Sequence, residues 1–160
     1  MDPYFLTCDL PTDYRSEAVE VAFKTEKTTT ERLRLTEIYV PQRKPYFLTL
    51  CTQPIYSFDD WLRLIIYIEF YRLIGVSKII FYYRNGTCSS AVDNVLQHYK
   101  EIGLIELEIM QRAPRNHFNK QYFVMEQLIQ IEDCLMRSIP FTEFWSDVDL
   151  DEFIGNPNVA

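Results

Sequence analysis

The 160-residue chain has no surplus of cationic side chains: 16 Lys and Arg stand against 23 Asp and Glu, a formal charge of −7. A surface of that sign argues against nucleic acid held by phosphate neutralisation. Cysteines are few and unclustered. Cys8, Cys51, Cys88 and Cys134 show no Cys-x-x-Cys spacing, which argues against a structural zinc site. Their even number permits disulfides in an oxidising compartment, with the pairing left open by sequence. The N-terminal MDPYFLTCDLPTDYRSE lacks a basic region followed by an apolar run, so it does not read as a signal peptide. Nor is there an uninterrupted run fit for a membrane. Arg63, Glu69, Arg72 and Lys78 punctuate WLRLIIYIEFYRLIGVSKIIFYY, and Gly75 divides it into a helix and a strand. Internal repeats and low-complexity tracts are missing too.

What is present is a core. The hydrophobic share of 48% and the aromatic share of 15% suit one folded domain of this length. Residues 1–44 read as an N-terminal lead-in, with strand-like pieces at VEVAF and LRLTEIYV, and PQRKP marks its end. From residue 45 onward strands and helices alternate. YFLTLC (46–51) suits a buried strand. A helix is expected over 58–74, with Ser57 as N-cap, Asp60 completing a capping box, Trp61, Leu64, Ile65, Ile68 and Tyr71 as its apolar stripe, and Gly75 as its stop. SKIIFYY (77–83), a helix over 90–102, LIELEI (104–109), a helix over 121–138 with Val124, Leu128, Ile131 and Leu135 inward, and FTEFWSDVDL (141–150) complete the series. Such alternation implies βαβ units, a mostly parallel sheet and helices on both faces: an α/β, Rossmann-like fold. Asn85-Gly86-Thr87 forms an N-glycosylation sequon on a turn-prone pair.

The segment FWSDVDLDEFIG (144–155) carries the chemistry. In an extended chain Asp147, Asp149 and Asp151 share one face, with Glu152 beside them. A plain reading is a strand that ends in solvent among exposed acids. Packed together, however, the carboxylates repel, and a divalent cation such as Mg²⁺, Mn²⁺ or Ca²⁺ relieves that repulsion. An EF-hand beginning at Asp147 fails, because Glu152 and Asn158 stand where Gly and Glu are required. An aspartyl phosphatase would place its nucleophile after an early strand. An Asp-x-Asp holding a metal against a nucleotide-sugar diphosphate fits the place at the carboxyl end of a parallel strand, where α/β sheets gather ligands.

LCTQPIYSFDDWLRLIIYIEFYRLIGVSKIIFYY, VLQHYKEIGLIEL, EDCLMRS and DVDLDEF, in this order, resemble glycosyltransferase family 92 over roughly residues 46–156. The resemblance implies a GT-A fold whose Rossmann-like half binds the nucleotide-sugar. It also implies transfer of galactose from a UDP-sugar to a glycan acceptor of a glycoprotein, with inversion and with Mn²⁺ (or Mg²⁺), by type II membrane proteins of the Golgi and secretory pathway. Carried over, Asp149 and Asp151 match the family's metal-binding Asp-x-Asp, and Glu152 and Phe153 complete the signature. Asp147 stands where an apolar residue is usual. Cys51 and Pro54 match a Cys-x-x-Pro motif, and the end of the first strand (Thr49, Cys51, Gln53) is expected to contact the donor. Asp133-Cys134 matches an Asp-Cys pair, with Asp133 a further donor contact or a helix acid serving a nearby donor. Cys51 and Cys134 are expected to be oxidised in a secretory lumen, or to be small buried residues.

The family continues past the Asp-x-Asp into an acceptor-binding half that supplies a general base, and no residue here takes that role. His98 falls within a helix and His117 in a loop, places where surface histidines are common. Two functions are therefore expected of the sequence. One is the donor half (45–160) of a metal-dependent hexosyltransferase. The other is a noncatalytic family member that binds a partner through apolar surface.

Overall fold

The computed structural model describes residues 18–23, 29–34, 41–84, 86–110 and 120–155. The chain divides into two compact units, Tyr4–Val40 and the stretch from Pro41 onward. In the first, β1 (Ala18–Phe23) and β2 (Thr29–Arg34) pair antiparallel, with Ala18 opposite Arg34. The second strand begins ahead of LRLTEIYV, whose residues 35–40 lie outside the described residues. It takes in Thr29 and Thr30, a residue type that favours strands.

The second unit is built from β3 (Tyr46–Cys51), α1 (Trp61–Leu73), β4 (Lys78–Tyr83), α2 (Ser90–Glu101), β5 (Ile105–Ile109), α3 (Lys120–Ser138) and β6 (Thr142–Asp147). Its four strands form one sheet in the order β5-β4-β3-β6, and every pair is parallel. The chain steps from β3 outward to β5, then crosses back to lay β6 against the other side of β3. Leu50, Ile79 and Phe81 meet Leu64, Tyr67 and Ile68 of α1 and Val92 and Leu96 of α2 on one face. Cys51, Ile80 and Tyr82 meet Cys134 of α3 on the other. The return crossover runs in the opposite direction and puts its helix on the opposite face, as a constant crossover hand requires. The result is the α/β, Rossmann-like arrangement that the alternating pattern implies.

Local chemistry explains the boundaries. Ser57 is not the cap of α1: it adopts φ 49°, and Phe58 O accepts from Ser89 N at 3.2 Å, drawing this stretch toward α2. Asp60 caps instead, accepting from Arg63 N at 3.0 Å. The inward face of α1 is Leu64, Tyr67, Ile68 and Tyr71, whereas Trp61 is exposed. Gly75 (φ 93°) and Gly103 (φ 77°) end the first two helices in the left-handed region. Among the described side chains of α3 the buried positions are Gln130, Cys134 and Ser138, spaced four apart, while Leu128 is exposed. The side chain of Val124 lies outside the described residues, as do Asn85 of the sequon and His117.

Cys51 and Cys134 form a disulfide between β3 and α3, and Cys88 is free. Cys8 lies outside the described residues. Among the described residues no helix is long and apolar enough to cross a membrane.

Candidate functional site

Beyond Cys51 the chain leaves its β6 neighbour. Thr52 N donates to Ile80 O at 3.1 Å, Ile55 N to Tyr82 O at 2.7 Å and Arg84 N to Ile55 O at 3.1 Å, so the segment after β3 follows β4. The last link across to β6 is Val148 N donating to Cys51 O at 3.0 Å. With no strand left to pair with, β6 stops at Asp147 rather than running to Leu150. A crevice opens where the two chains part. This is the switch point of the sheet, where one crossover leads left and the other right, and the place where open α/β sheets take ligands.

A cleft of about 350 Å³ occupies it. Gln53–Tyr56 and Phe58 form one wall, Asp149–Asp151 the other, and Arg63 enters from the first turn of α1. Of the residues expected at the site, Gln53, Asp149 and Asp151 are brought together here. Thr49 is buried within the sheet, Cys51 is in the disulfide, and neither lines the cleft. Asp133 lies on α3, where its Oδ2 accepts from Tyr82 OH and from Arg137 Nε, each at 2.6 Å.

The three aspartates part company. Asp147 keeps to the α3 face, where Gln130 Nε2 donates to its Oδ1 at 2.9 Å. Gln130 is fully buried, and its Oε1 has no partner among the described residues. Asp149 and Asp151 sit in a turn closed by Glu152 N donating to Asp149 O at 3.0 Å. The Glu152 side chain returns the contact, its Oε2 accepting from Asp149 N at 3.2 Å. Burial pushes the Asp149 carboxyl above the ordinary range, and the negative charges of Glu152, Asp147 and Asp151 add to that. Burial likewise raises Asp147, with the Gln130 hydrogen bond opposing it.

Such a cluster is suited to a hard cation. No group of three or more His, Cys, Asp or Glu converges on one point among the described residues. An ion bound by Asp149 and Asp151 would therefore complete its shell with water and ligand oxygens, the pattern of Mg²⁺-type ions at phosphates. The donor set fits that use and does not fit an all-protein Ca²⁺ cage.

Sequence reasoning passed over Tyr56, Phe58 and Arg63. Arg63 carried a signal: a basic residue in the first helical turn opposes the helix dipole, which favours acids there. Its partner Asp60, at 3.3 Å, is exposed like Arg63 itself, so the pair leaves the guanidinium able to exchange partners. Tyr56 lies 5.3 Å beneath the guanidinium carbon of Arg84.

The sequence model of glycosyltransferase family 92 matches residues 46–156. The chain is also similar to the protein named Beta-1,4-galactosyltransferase galt-1 of Caenorhabditis elegans, at 25% identity over 162 aligned positions. That alignment takes in 94% of this chain and 37% of the relative's length.

Proposed function

Since the chain belongs to glycosyltransferase family 92, we propose that its cleft binds a UDP-sugar and serves transfer of a hexose, galactose by likeness to the relative, to a glycan acceptor. The observation that carries this reading is the meeting of Asp149 and Asp151 with Arg63 at the switch point, inside the family-matched region. Asp149 and Asp151 would hold Mn²⁺ or Mg²⁺. Bound there, the ion would neutralise charge on the departing nucleoside diphosphate.

The chain's own residues supply the rest. Arg63, exposed beside Asp60, adds a positive charge to the cleft that the aspartates line, suited to phosphate oxygens. Tyr56 and Phe58 offer aromatic surface for a planar base, and Gln53 offers both a donor and an acceptor to its edge. Glu152 fixes the backbone of Asp149, so the turn is shaped before a ligand arrives. A secretory-pathway setting agrees with the buried Cys51–Cys134 disulfide, which forms in oxidising compartments.

Isothermal titration with UDP tests the reading. The expected outcome is UDP binding in the presence of Mn²⁺, lost on chelation or in the Asp149→Ala, Asp151→Ala double variant. Equal affinity in the double variant would refute the metal bridge.

A further inference from the structure

Tyr67 and Tyr71 are fully buried on α1, four residues apart and so on one face of the helix, their rings edge-on at 4.7 Å. A core facing a sheet needs only their rings, and phenylalanine would supply those. The hydroxyls answer to something else. Tyr67 OH donates to Val148 O at 3.0 Å. Tyr71 OH donates to Glu152 O at 3.0 Å and accepts from Ile154 N at 3.0 Å, spanning the backbone of Phe153. The Phe153 ring lies parallel to that of Tyr71 at 6.4 Å and edge-on to Phe70 at 5.0 Å.

These contacts bracket the acidic turn. The bonds between Asp149 and Glu152 set its internal shape but leave its place in the molecule open. The tyrosines hold the turn at both ends, Tyr67 before Asp149 together with the Val148 N bond to Cys51 O, and Tyr71 after Asp151. Arg63 precedes Tyr67 by four residues on the same helix, so one rigid element both delivers the cation to the cleft and holds the acidic turn. Resting on the donor-site reading above, we infer that Tyr67 and Tyr71 are positioning residues: through their hydroxyls α1 fixes the Val148–Ile154 backbone and thereby the placement of Asp149 and Asp151 against Arg63.

Tyr67→Phe and Tyr71→Phe remove the hydroxyls and keep the rings. Tyr99→Phe is the comparator, because Tyr99 OH donates to Glu69 Oε1 at 2.7 Å, outside the acidic turn. The expected result is faster amide exchange at Glu152 and Ile154 in the Tyr71 variant. Mn²⁺-dependent UDP affinity should fall roughly 10- to 100-fold in both variants, as for other losses of support behind metal ligands. Tyr99→Phe should lower stability without either change. Unaltered exchange at Ile154 would overturn the proposal, and so would faster exchange with full UDP affinity. If the unmodified chain fails to bind UDP with Mn²⁺, the donor reading falls, while the exchange comparison still decides whether the tyrosines hold the turn.

Discussion

Arg63 and Arg84 carry the same charge under opposite conditions. Arg63 pairs with Asp60 in solvent, an arrangement worth about 0–1 kcal/mol. Arg84 is only 7% exposed; its Nη2 donates to both carboxylate oxygens of Glu126, and its Nε has no partner among the described residues. Removing one member of a buried pair strands the other, at a cost of about 3–5 kcal/mol. Glu126→Ala should therefore lower the unfolding free energy by about that amount, whereas Asp60→Ala should cost about 1 kcal/mol through its cap. Chemical denaturation compares the two, and a Glu126→Ala loss no larger than that of Asp60→Ala would contradict burial of the pair. The place of Asp149 and Asp151 at the cleft was legible because a short motif sat at a strand end, and that of Gln53 followed from the family resemblance. Arg84 and Tyr56 were not, since their meeting depends on β3 veering toward β4, which no local pattern encodes.

At the scale of elements, periodicity located each strand and helix of the second unit, and side-chain competition moved the ends. Ser57 followed by Asp60 satisfies a capping box on paper, yet Phe58 O is taken by Ser89 N, and the cap passes to Asp60. The Asp147-Asp149-Asp151 alternation promised one shared face. It broke because β3 offers no partner past Cys51, so Asp147 turns to α3 and the other two to the cleft. The Cys51–Cys134 link ties the last residue of β3 to α3 across a sequence separation of 83. Closing a loop of that order in the unfolded chain stabilises the fold by about 2–5 kcal/mol. Cys51→Ala with Cys134→Ala should show that loss and a larger m-value, because the denatured chain is freed to expand. A double variant with the parent's denaturation midpoint would show that the link contributes nothing.

For the molecule as a whole, strand–helix alternation implied a parallel sheet but not the order of its strands. The order β5-β4-β3-β6 is what creates the switch point, and it follows from reversal of direction after β5, a tertiary choice. The same packing leaves a signature in pH. Buried tyrosines line both sides of the sheet: burial, then a hydrogen bond to Glu69, pushes the Tyr99 phenol up to about 12, and burial with Asp93 does the same for Tyr83. Tyr67 and Tyr82 are raised as well, burial again being the first cause. In the unfolded chain phenols ionise near pH 10, roughly. Between about pH 10 and 12 the unfolded state has lost protons that the folded state keeps, so stability is full below that window and falls as pH rises through it. Denaturant unfolding followed across the window should show this decline, and Tyr99→Phe, though less stable at neutral pH, should show a shallower one. A stability that stays level through the window would mean that the phenols ionise as readily in the fold as out of it.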